Sequence, residues 1–313
     1  MARYLVTGGC GFIGSHLVER LLDEGHEVTV LDDLSTGKAG NIPDSVALIY
    51  GDVADPMVVA EAMDGQDGCF HLAAIASVER SREEWAWTQR VNVGGTVNVF
   101  DAARRRGDGE PTPVVWASSA AVYGDNAAVP LAETATPRPL TAYCVDKLAC
   151  EQYARIADRV HGVPVAGFRF FNVYGPRQNP SSPYSGVISE FAGRIANGEA
   201  VTIFGDGELV RDYVYVGDVI QYLMAAMAQP MPGAQLFNIC TGQSTTVNQL
   251  AAMLGELLGR PVVIEKAPPP PEGDIRVSLG DPRQLMAEFG FACDISLRDG
   301  LRRTLKWLNA VQV

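Results

Sequence analysis

Short apolar, β-branched runs recur along the first 170 residues and alternate with segments of helical period. Strands that are buried on both faces have such near-continuous apolar sequences. Helical patterns over Ser15–Glu24, Thr88–Arg106 and Ala142–His161 separate several of the runs. This alternation predicts an α/β fold with a doubly wound parallel sheet. The predicted strands are Tyr4–Thr7, Glu27–Leu31, Ala47–Tyr50, Cys69–Leu72, Pro113–Ala117 and Val165–Phe170.

The pattern changes after Phe171. Residues 172–186 are rich in Asn, Pro, Ser and Gly and predict a long loop, and helical patterns follow over Val187–Asn197 and Asp218–Gln229. We therefore expect two domains. The first comprises residues 1–171, and residues of about 212–245 return to it. Residues 172–313 mostly form a smaller α/β cap.

Composition excludes several classes of protein. Lys and Arg number 25 against 37 Asp and Glu, a net charge of −12 that disfavours nucleic acid as a partner. The basic run Arg104-Arg105-Arg106 ends a predicted helix, where it complements the helix dipole. No apolar run approaches the ~18 residues of a membrane span, and the glycines from Gly8 onward leave no room for a secretory signal. The 6 cysteines and 4 histidines lack ligand spacing. We expect a cytoplasmic protein without a metal site, a disulfide framework or a membrane partner.

A glycine-rich turn follows the first predicted strand. It reads Gly8-Gly9-Cys10-Gly11-Phe12-Ile13-Gly14 and leads into a helix. Glycines at positions 8, 11 and 14 permit a tight turn, the approach of a pyrophosphate and close packing of helix on strand. Such a turn alone is weak evidence, but here an acidic residue, Asp32, also ends the second strand. The combination predicts a Rossmann-type dinucleotide site. A carboxylate at Asp32 bonds the ribose hydroxyls and repels a 2′-phosphate, which favours NAD over NADP.

Tyr143 and Lys147 lie four residues apart in the helix predicted over Ala142–His161, so they share one face. The lysine charge favours phenolate, and we expect it to lower the tyrosine pKa toward neutrality. Such pairs are common on exposed helices and are weak evidence alone. Ser119, however, follows the strand Pro113–Ala117, where a hydroxyl can bond a substrate oxygen. Together the three residues predict a catalytic site.

These motifs together resemble the extended short-chain dehydrogenase/reductase family. The resemblance continues through Phe168–Pro176, Phe204–Gly207, Arg211–Val214 and Gly273–Arg276, and so covers nearly the whole chain. Within that family the chain is most similar to the UDP-hexose 4-epimerases. The resemblance implies a redox isomerisation of a UDP-sugar on tightly held NAD, and a homodimer formed through a two-helix face.

The resemblance also implies the site residues. The catalytic residues are Ser119, Tyr143 and Lys147. Arg211 and Arg276 suit a diphosphate, because guanidinium forks match its geometry, and Phe204 suits uracil. The implied cofactor contacts are Gly8, Gly11, Phe12, Ile13, Gly14, Asp32, Asp33, Ser35, Thr36, Gly37, Asp52, Val53, Leu72, Ala73, Ala74, Asn92, Ala117, Tyr143, Lys147, Phe170 and Phe171. The implied substrate contacts are Ser119, Tyr143, Asn172, Val187, Thr202, Phe204, Arg211, Val247, Asp274, Arg276 and Ser278.

The chain departs from the family pattern at four positions. Asp146 stands where Ser or Thr often precedes the lysine, and Cys144 follows the tyrosine directly. Ala117 replaces a frequent serine, and Ala76 a lysine that is common near the nicotinamide. Ser278 corresponds to the position beside the sugar C2 substituent. Tyrosine there typically restricts epimerases to glucose and galactose, so serine predicts room for an N-acetyl group. The loop 177–188 resembles the same N-acetylhexosamine epimerases. The alternative is that Ser278 is only a small strand residue and that the pocket accepts UDP-glucose and UDP-galactose as well.

Other activities share this fold and cofactor. A 4,6-dehydratase uses Asp-Glu after its active-site threonine, and a decarboxylase uses a glutamate nearby. Here Ala120-Ala121 follows Ser119, which disfavours both. A 4-ketoreductase stays open as an alternative, and it would release NAD and depend on added reduced cofactor. A non-catalytic dinucleotide-binding protein is the other alternative, although such members typically lose the tyrosine or the lysine.

Overall fold

The computed structural model describes residues 1–104, 109–178, 187–268 and 275–311. In these ranges no helix is both long and apolar enough to span a membrane. The strands are β1 (Arg3–Thr7), β2 (Glu27–Asp32), β3 (Ala47–Tyr50), β4 (Gly68–His71), β5 (Val114–Ser119), β6 (Val165–Phe170), β7 (Asn172–Tyr174), β8 (Val201–Phe204), β9 (Val210–Arg211), β10 (Tyr213–Tyr215), β11 (Gln235–Ile239), β12 (Thr245–Thr246), β13 (Ile264–Ala267) and β14 (Val277–Ser278). The helices are α1 (Phe12–Asp23), α2 (Pro56–Met63), α3 (Val78–Glu83), α4 (Trp85–Gln89), α5 (Gly95–Ala103), α6 (Ala142–His161), α7 (Val187–Asn197), α8 (Val216–Ala228), α9 (Val247–Leu258), α10 (Arg283–Phe289) and α11 (Leu297–Val311).

A seven-stranded sheet in the order β11-β6-β5-β4-β1-β2-β3 forms the centre of the described chain. Its pairings from β3 to β6 are parallel. The strand order reverses at β1, which is the doubly wound arrangement, and the predicted fold class is confirmed. Residues such as Leu5 and Phe70 in the middle of the sheet are fully buried. Burial of such a side chain contributes about 1.5–3 kcal/mol.

Helix α6 has the predicted bounds because local signals set both its ends. The Thr141 side chain accepts the Cys144 amide at the N-terminus, and Gly162 adopts the left-handed conformation, φ +68°, at the C-terminus. The helix predicted over Thr88–Arg106 differs. It begins at Trp85 as α4, passes through a π-helical stretch over Arg90–Gly94 and ends as α5. Such π turns have no distinct sequence period and often lie at functional sites.

The predicted loop after residue 171 is wrong at its start. Asn172–Tyr174 forms β7, which pairs in parallel with β10. The partner strand lies some forty residues later in the chain, so local composition does not reveal the pairing. Residues 179–186 of the predicted loop lie outside the described ranges.

The chain divides into two compact units. The first unit, Met1–Val122, Pro139–Phe170 and Ile220–Phe237, contains α1, α2, α5, α6 and the central sheet except for the last two residues of β11. The second unit is Tyr123–Arg138, Phe171–Val219 and Asn238–Val313. It contains three small sheets, β7 with β10, β8 with β13, and β9 between β12 and β14.

Candidate active site

The turn after β1 is made of glycines that have no space for a side chain. Gly8 has a φ of +71°, and a Cβ there would lie 2.7 Å from the Ala73 amide nitrogen. A Cβ on Gly14 would overlap the Gly8 carbonyl oxygen. Helix α1 follows with Gly11, which has no side chain to cap it, as its N-cap. The amides of the first turn and the helix dipole therefore form a site for an anion such as a pyrophosphate.

Asp32 ends β2 next to this turn and is 7% exposed. Its Oδ2 accepts the Cys10 amide at 2.9 Å, and its Oδ1 accepts the Leu34 amide at 2.8 Å. Burial raises the pKa of Asp32, and these two hydrogen bonds oppose the increase. Each carboxylate oxygen keeps a lone pair for a further donor such as a ribose hydroxyl. The glycine turn and this carboxylate together fit NAD.

Three more of the expected cofactor residues have defined contacts. The Asp52 carboxylate accepts the Ala54 amide and Nη2 of Arg90, each at 2.8 Å. The Val53 side chain is buried in the core, so only its backbone can face an adenine. Asn92 accepts the Ile75 amide at 2.8 Å and so holds the segment that follows β4. Phe171 belongs to the second unit, and the other expected cofactor residues belong to the first.

The three expected catalytic residues converge at the carboxyl end of β5. Ser119 is the last residue of that strand rather than following it, and its side chain shares a hydrogen bond with Tyr143. Lys147 lies one helical turn after Tyr143, and its Nζ donates to the Ala117 carbonyl oxygen at 2.9 Å. The Tyr143 amide donates to the hydroxyl of Ser81 at 3.3 Å. The end of β5 and one face of α6 thus bring Ser119, Tyr143 and Lys147 together.

The electrostatics of this face correct one prediction. Burial raises the pKa of Tyr143 to about 12, the hydrogen bond from Ser119 opposes the increase, and Asp146 contributes to it. The predicted lowering toward neutrality by Lys147 is therefore wrong for the chain by itself. Burial also lowers the pKa of Lys147, since desolvation disfavours its charge, while Cys150 and Asp146 oppose that shift.

Sequence reasoning noted Asp146 as a departure but missed its partner. The carboxylate is buried and accepts a hydrogen bond from Nδ2 of Asn92 at 3.3 Å. Burial raises the pKa of Asp146, whereas Asn92 and Lys147 lower it. Asn92 lies in the π-helical stretch, which brings its amide between α6 and the segment after β4.

The second unit carries the residues expected to bind the nucleotide. Arg211 on β9 donates from Nη1 to the carbonyl oxygens of Val210 and Ile275, at 2.9 and 2.7 Å. Ser278 on β14 is the register partner of Arg211. Arg276 is exposed, and its Nη2 donates to Asp206 at 2.9 Å. The structure therefore brings Arg211 and Ser278 together on adjacent strands.

The other expected nucleotide contacts lie on separate elements of this unit. Asn172 begins β7, and within the described residues its buried Nδ2 has no hydrogen-bond partner. An unsatisfied buried amide is costly, which indicates a ligand oxygen at this position. Thr202 and the half-exposed Phe204 lie on one face of β8. Val187 and Val247 are the first residues of α7 and α9. Asp274 lies outside the described ranges.

Asp212 was missed by the sequence reasoning. It is fully buried and accepts both the amide and the hydroxyl of Thr241, at 2.8 and 2.6 Å, and the Gly242 amide at 2.9 Å. It also accepts the Gly280 amide at 3.3 Å. Burial raises the pKa of Asp212, and these bonds oppose the increase. Asp212, the neighbour of Arg211 in the chain, thereby ties the segment at Thr241 and Gly242 to Gly280. Its position in the Arg-Asp-Tyr motif was the available signal.

Known proteins resemble this chain in sequence and in structure. Residues 4–240 match the model of the NAD dependent epimerase/dehydratase family. The UDP-glucose 4-epimerase of Mycolicibacterium smegmatis is 36% identical over 98% of each chain. The UDP-N-acetylglucosamine 4-epimerase of Methanobrevibacter ruminantium, solved with UDP-N-acetylmuramic acid, has a TM-score of 0.93 and 33% identity over 99% of each chain.

A third relative bears on the cofactor. The UDP-glucose 4-epimerase of Thermus thermophilus, solved with NAD, has a TM-score of 0.89 and 37% identity over 98% of this chain and 99% of its own. The family match indicates NAD, and so does the fit of the glycine turn and Asp32. NAD is the cofactor, as the sequence predicted.

Proposed function

Since the chain belongs to the NAD dependent epimerase/dehydratase family, we propose that it inverts carbon 4 of a UDP-hexose through a transient 4-keto sugar. One observation carries this proposal. Ser119, Tyr143 and Lys147 converge at the carboxyl edge of the sheet that also bears the glycine turn and Asp32. Together with NAD, these three residues would supply the groups that remove a hydride and a proton from a secondary alcohol.

Tyr143 is the general base of this mechanism. Its Oη takes the proton of the 4-hydroxyl as the hydride leaves C4, and returns the proton once the hydride is back on the other face. The hydroxyl of Ser119 bonds the same oxygen. The Lys147 ammonium group, anchored on the Ala117 carbonyl oxygen one helical turn from Tyr143, would hold the ribose of bound NAD. The glycine turn and Asp32 would hold NAD, which would supply the hydride acceptor and a positive charge that favours the phenolate.

The residues after Ser119 favour epimerisation over elimination. Ala120 and Ala121 form a short 3₁₀ turn, and neither side chain can donate or accept a proton. Dehydration and decarboxylation need a further acid or base, and alanine supplies neither. The 4-ketoreductase reaction uses the same three residues, and dependence on added reduced cofactor distinguishes it.

The preferred sugar is an N-acetylhexosamine, interconverted between the UDP-N-acetylglucosamine and UDP-N-acetylgalactosamine forms. One feature supports this preference. Ser278, at the position implied to face the C2 substituent, is small and is the register partner of Arg211, which is expected to bind the diphosphate. The related epimerases are named for UDP-glucose and for UDP-N-acetylglucosamine, so both sugars are substrates to test.

Proton NMR of the product mixture tests the substrate assignment. We expect wild-type enzyme to form the axial 4-hydroxyl epimer from UDP-N-acetylglucosamine. Ser278→Tyr excludes the acetyl group by size and depresses that rate, while it spares UDP-glucose turnover. Ser278→Ala is the matched control, because it keeps the space open. Wild-type enzyme that turns over only UDP-glucose, or a tyrosine variant that still accepts the acetylated sugar, contradicts the size argument.

The active form is a homodimer joined through the helical face that includes α6. Apolar side chains recur along one side of this helix at Val145, Tyr153, Ile156 and Val160, and each is about half exposed. Tyr153, Ile156 and Val160 follow one another at intervals of three and four residues, and Val145 lies about two helical turns before Tyr153. This is the spacing of a helix–helix contact. A second copy of this chain would cover the stripe and remove it from water.

A further inference from the structure

A fully buried ion pair links α6 to the two strands against which it packs. Glu151 lies one turn after Lys147 and two turns after Tyr143, and its side chain is 1% exposed. Arg169, 3% exposed, donates from Nε to Oε1 at 2.8 Å and from Nη2 to Oε2 at 2.7 Å. The hydroxyl of Ser118 donates to Oε1 at 2.7 Å. The carboxylate therefore accepts three hydrogen bonds, two of them from one planar fork.

One of these donors, Ser118, lies on β5 between the two residues of that strand that contact Lys147 and Tyr143. Ser118 stands between Ala117, whose carbonyl oxygen accepts the Lys147 ammonium group, and Ser119, which bonds Tyr143. Three consecutive residues of one strand thus contact one face of α6. A shift of the helix along or about its axis would displace both reactive side chains from their partners at once, since one residue of slip is about 1.5 Å and 100°.

Stability alone does not require this ion pair. Removing both charges from water costs free energy that well-packed apolar side chains avoid. A two-bond fork, however, tolerates little rotation or sliding, whereas apolar contacts permit both. Arg169 is itself fixed, because β6 pairs it with Ser118 in the parallel register.

We propose that Glu151 and Arg169 are positioning residues of the epimerisation. They hold α6 against the end of β5 so that Tyr143 meets Ser119 and Lys147 meets the Ala117 carbonyl oxygen. This role rests on the proposed function. The pair does not touch the substrate, and it acts through the side chains that do.

The test replaces the whole pair, Glu151→Met with Arg169→Met, so that no unpaired charge stays buried. We expect the urea midpoint to match or exceed that of the wild type, while kcat falls about 10²-fold, as misplacement of about 1 Å can cause. KM stays near the wild-type value. The isotope effect from deuterium at sugar C4 rises, because hydride transfer has become slower. Amide exchange in the first turns of α6, measured without substrate, becomes faster.

Two further variants keep the test decisive. Arg169→Lys retains the charge but loses the fork, and we expect the same fall in kcat for this variant. It provides the test if the double variant does not fold. Val18→Ala, in the buried face of α1, is the destabilised control and leaves the isotope effect and α6 exchange unchanged. Wild-type kcat and α6 exchange in the folded double variant, or in Arg169→Lys, overturn the positioning role. Absence of epimerisation by the wild type overturns the proposed function instead, and α6 exchange still decides whether the pair positions the helix.

Discussion

Replacing Ser119 by Ala removes a hydrogen bond that lowers the pKa of Tyr143, which burial raises to about 12. A hydrogen bond to a charged group contributes about 1.5–3 kcal/mol, and this corresponds to about 10–10²-fold in rate. We therefore expect Ser119→Ala to lower kcat/KM near neutral pH by about that factor, through a smaller fraction of phenolate. The fold and NAD binding stay intact, because the substitution removes only one half-buried hydroxyl at the end of a strand.

The pH dependence of kcat/KM shows in which direction the loss of Ser119 shifts the pKa of Tyr143. Tyr143 acts as a base only when ionised, so kcat/KM rises with pH until the tyrosine has titrated. Without Ser119 the tyrosine pKa is higher, and the rising limb moves to higher pH. Above that limb the variant recovers part of its rate, because phenolate then forms in both enzymes and only the bond to the sugar oxygen is missing.

The assay is kcat/KM of the NAD-loaded enzyme across the pH range in which it stays folded. Ser119→Thr is the matched control, since it retains a hydroxyl and should retain the position of the rising limb. A loss in Ser119→Ala that is equal at every pH, with the limb unmoved, would refute the hydrogen bond to the phenolate as the source of the effect.

Three further predictions concern the cofactor, stability and assembly. Wild-type protein should bind NAD more tightly than NADP, and Asp32→Ala should narrow the difference between these two affinities, because it removes the charge that repels the 2′-phosphate. Paired titrations in which the wild type binds NADP more tightly would contradict this. Burial lowers the pKa of His71 from 6.5 to about 3, so the unfolded chain takes up a proton that the folded chain does not. The free energy of unfolding should fall by up to ~1.4 kcal/mol for each pH unit below the unfolded-state pKa, and urea titrations of His71→Gln should show a flatter dependence. Light scattering tests the proposed dimer: Ile156→Glu, at a residue 50% exposed on α6, should yield a monomer, whereas Arg155→Glu should leave the dimer intact if the apolar stripe is the interface.

The fold was predictable wherever local signals define an element. The apolar runs of β1 to β6 and the capping residues of α6 are local, and they place Asp32, Ser119 and Tyr143 at strand ends and on one helix face. The π-helical stretch has no period that distinguishes it from an α-helix, and the short strand β7 depends on a partner strand distant in sequence.

Within the site, residue identity was more predictable than electrostatics. The Tyr143–Lys147 spacing is a sequence feature, but the tyrosine pKa depends on how completely the surrounding elements exclude water. For the same reason the contacts of Asp146 with Asn92, and of Glu151 with Arg169, could not be inferred. They join residues far apart in the chain that only the folded sheet brings together.

In the proposed epimerisation, one hydride leaves C4 and returns to the same carbon within the enzyme. The most direct measurement uses UDP-N-acetylglucosamine, or UDP-glucose, deuterated at C4, incubated in ordinary water with NAD-loaded protein and no added reduced cofactor. We expect proton NMR to show the 4-epimer with deuterium still at C4, and Tyr143→Phe to form almost none of it. Loss of deuterium to solvent, or product that forms only when reduced cofactor is supplied, would contradict an internal redox epimerisation.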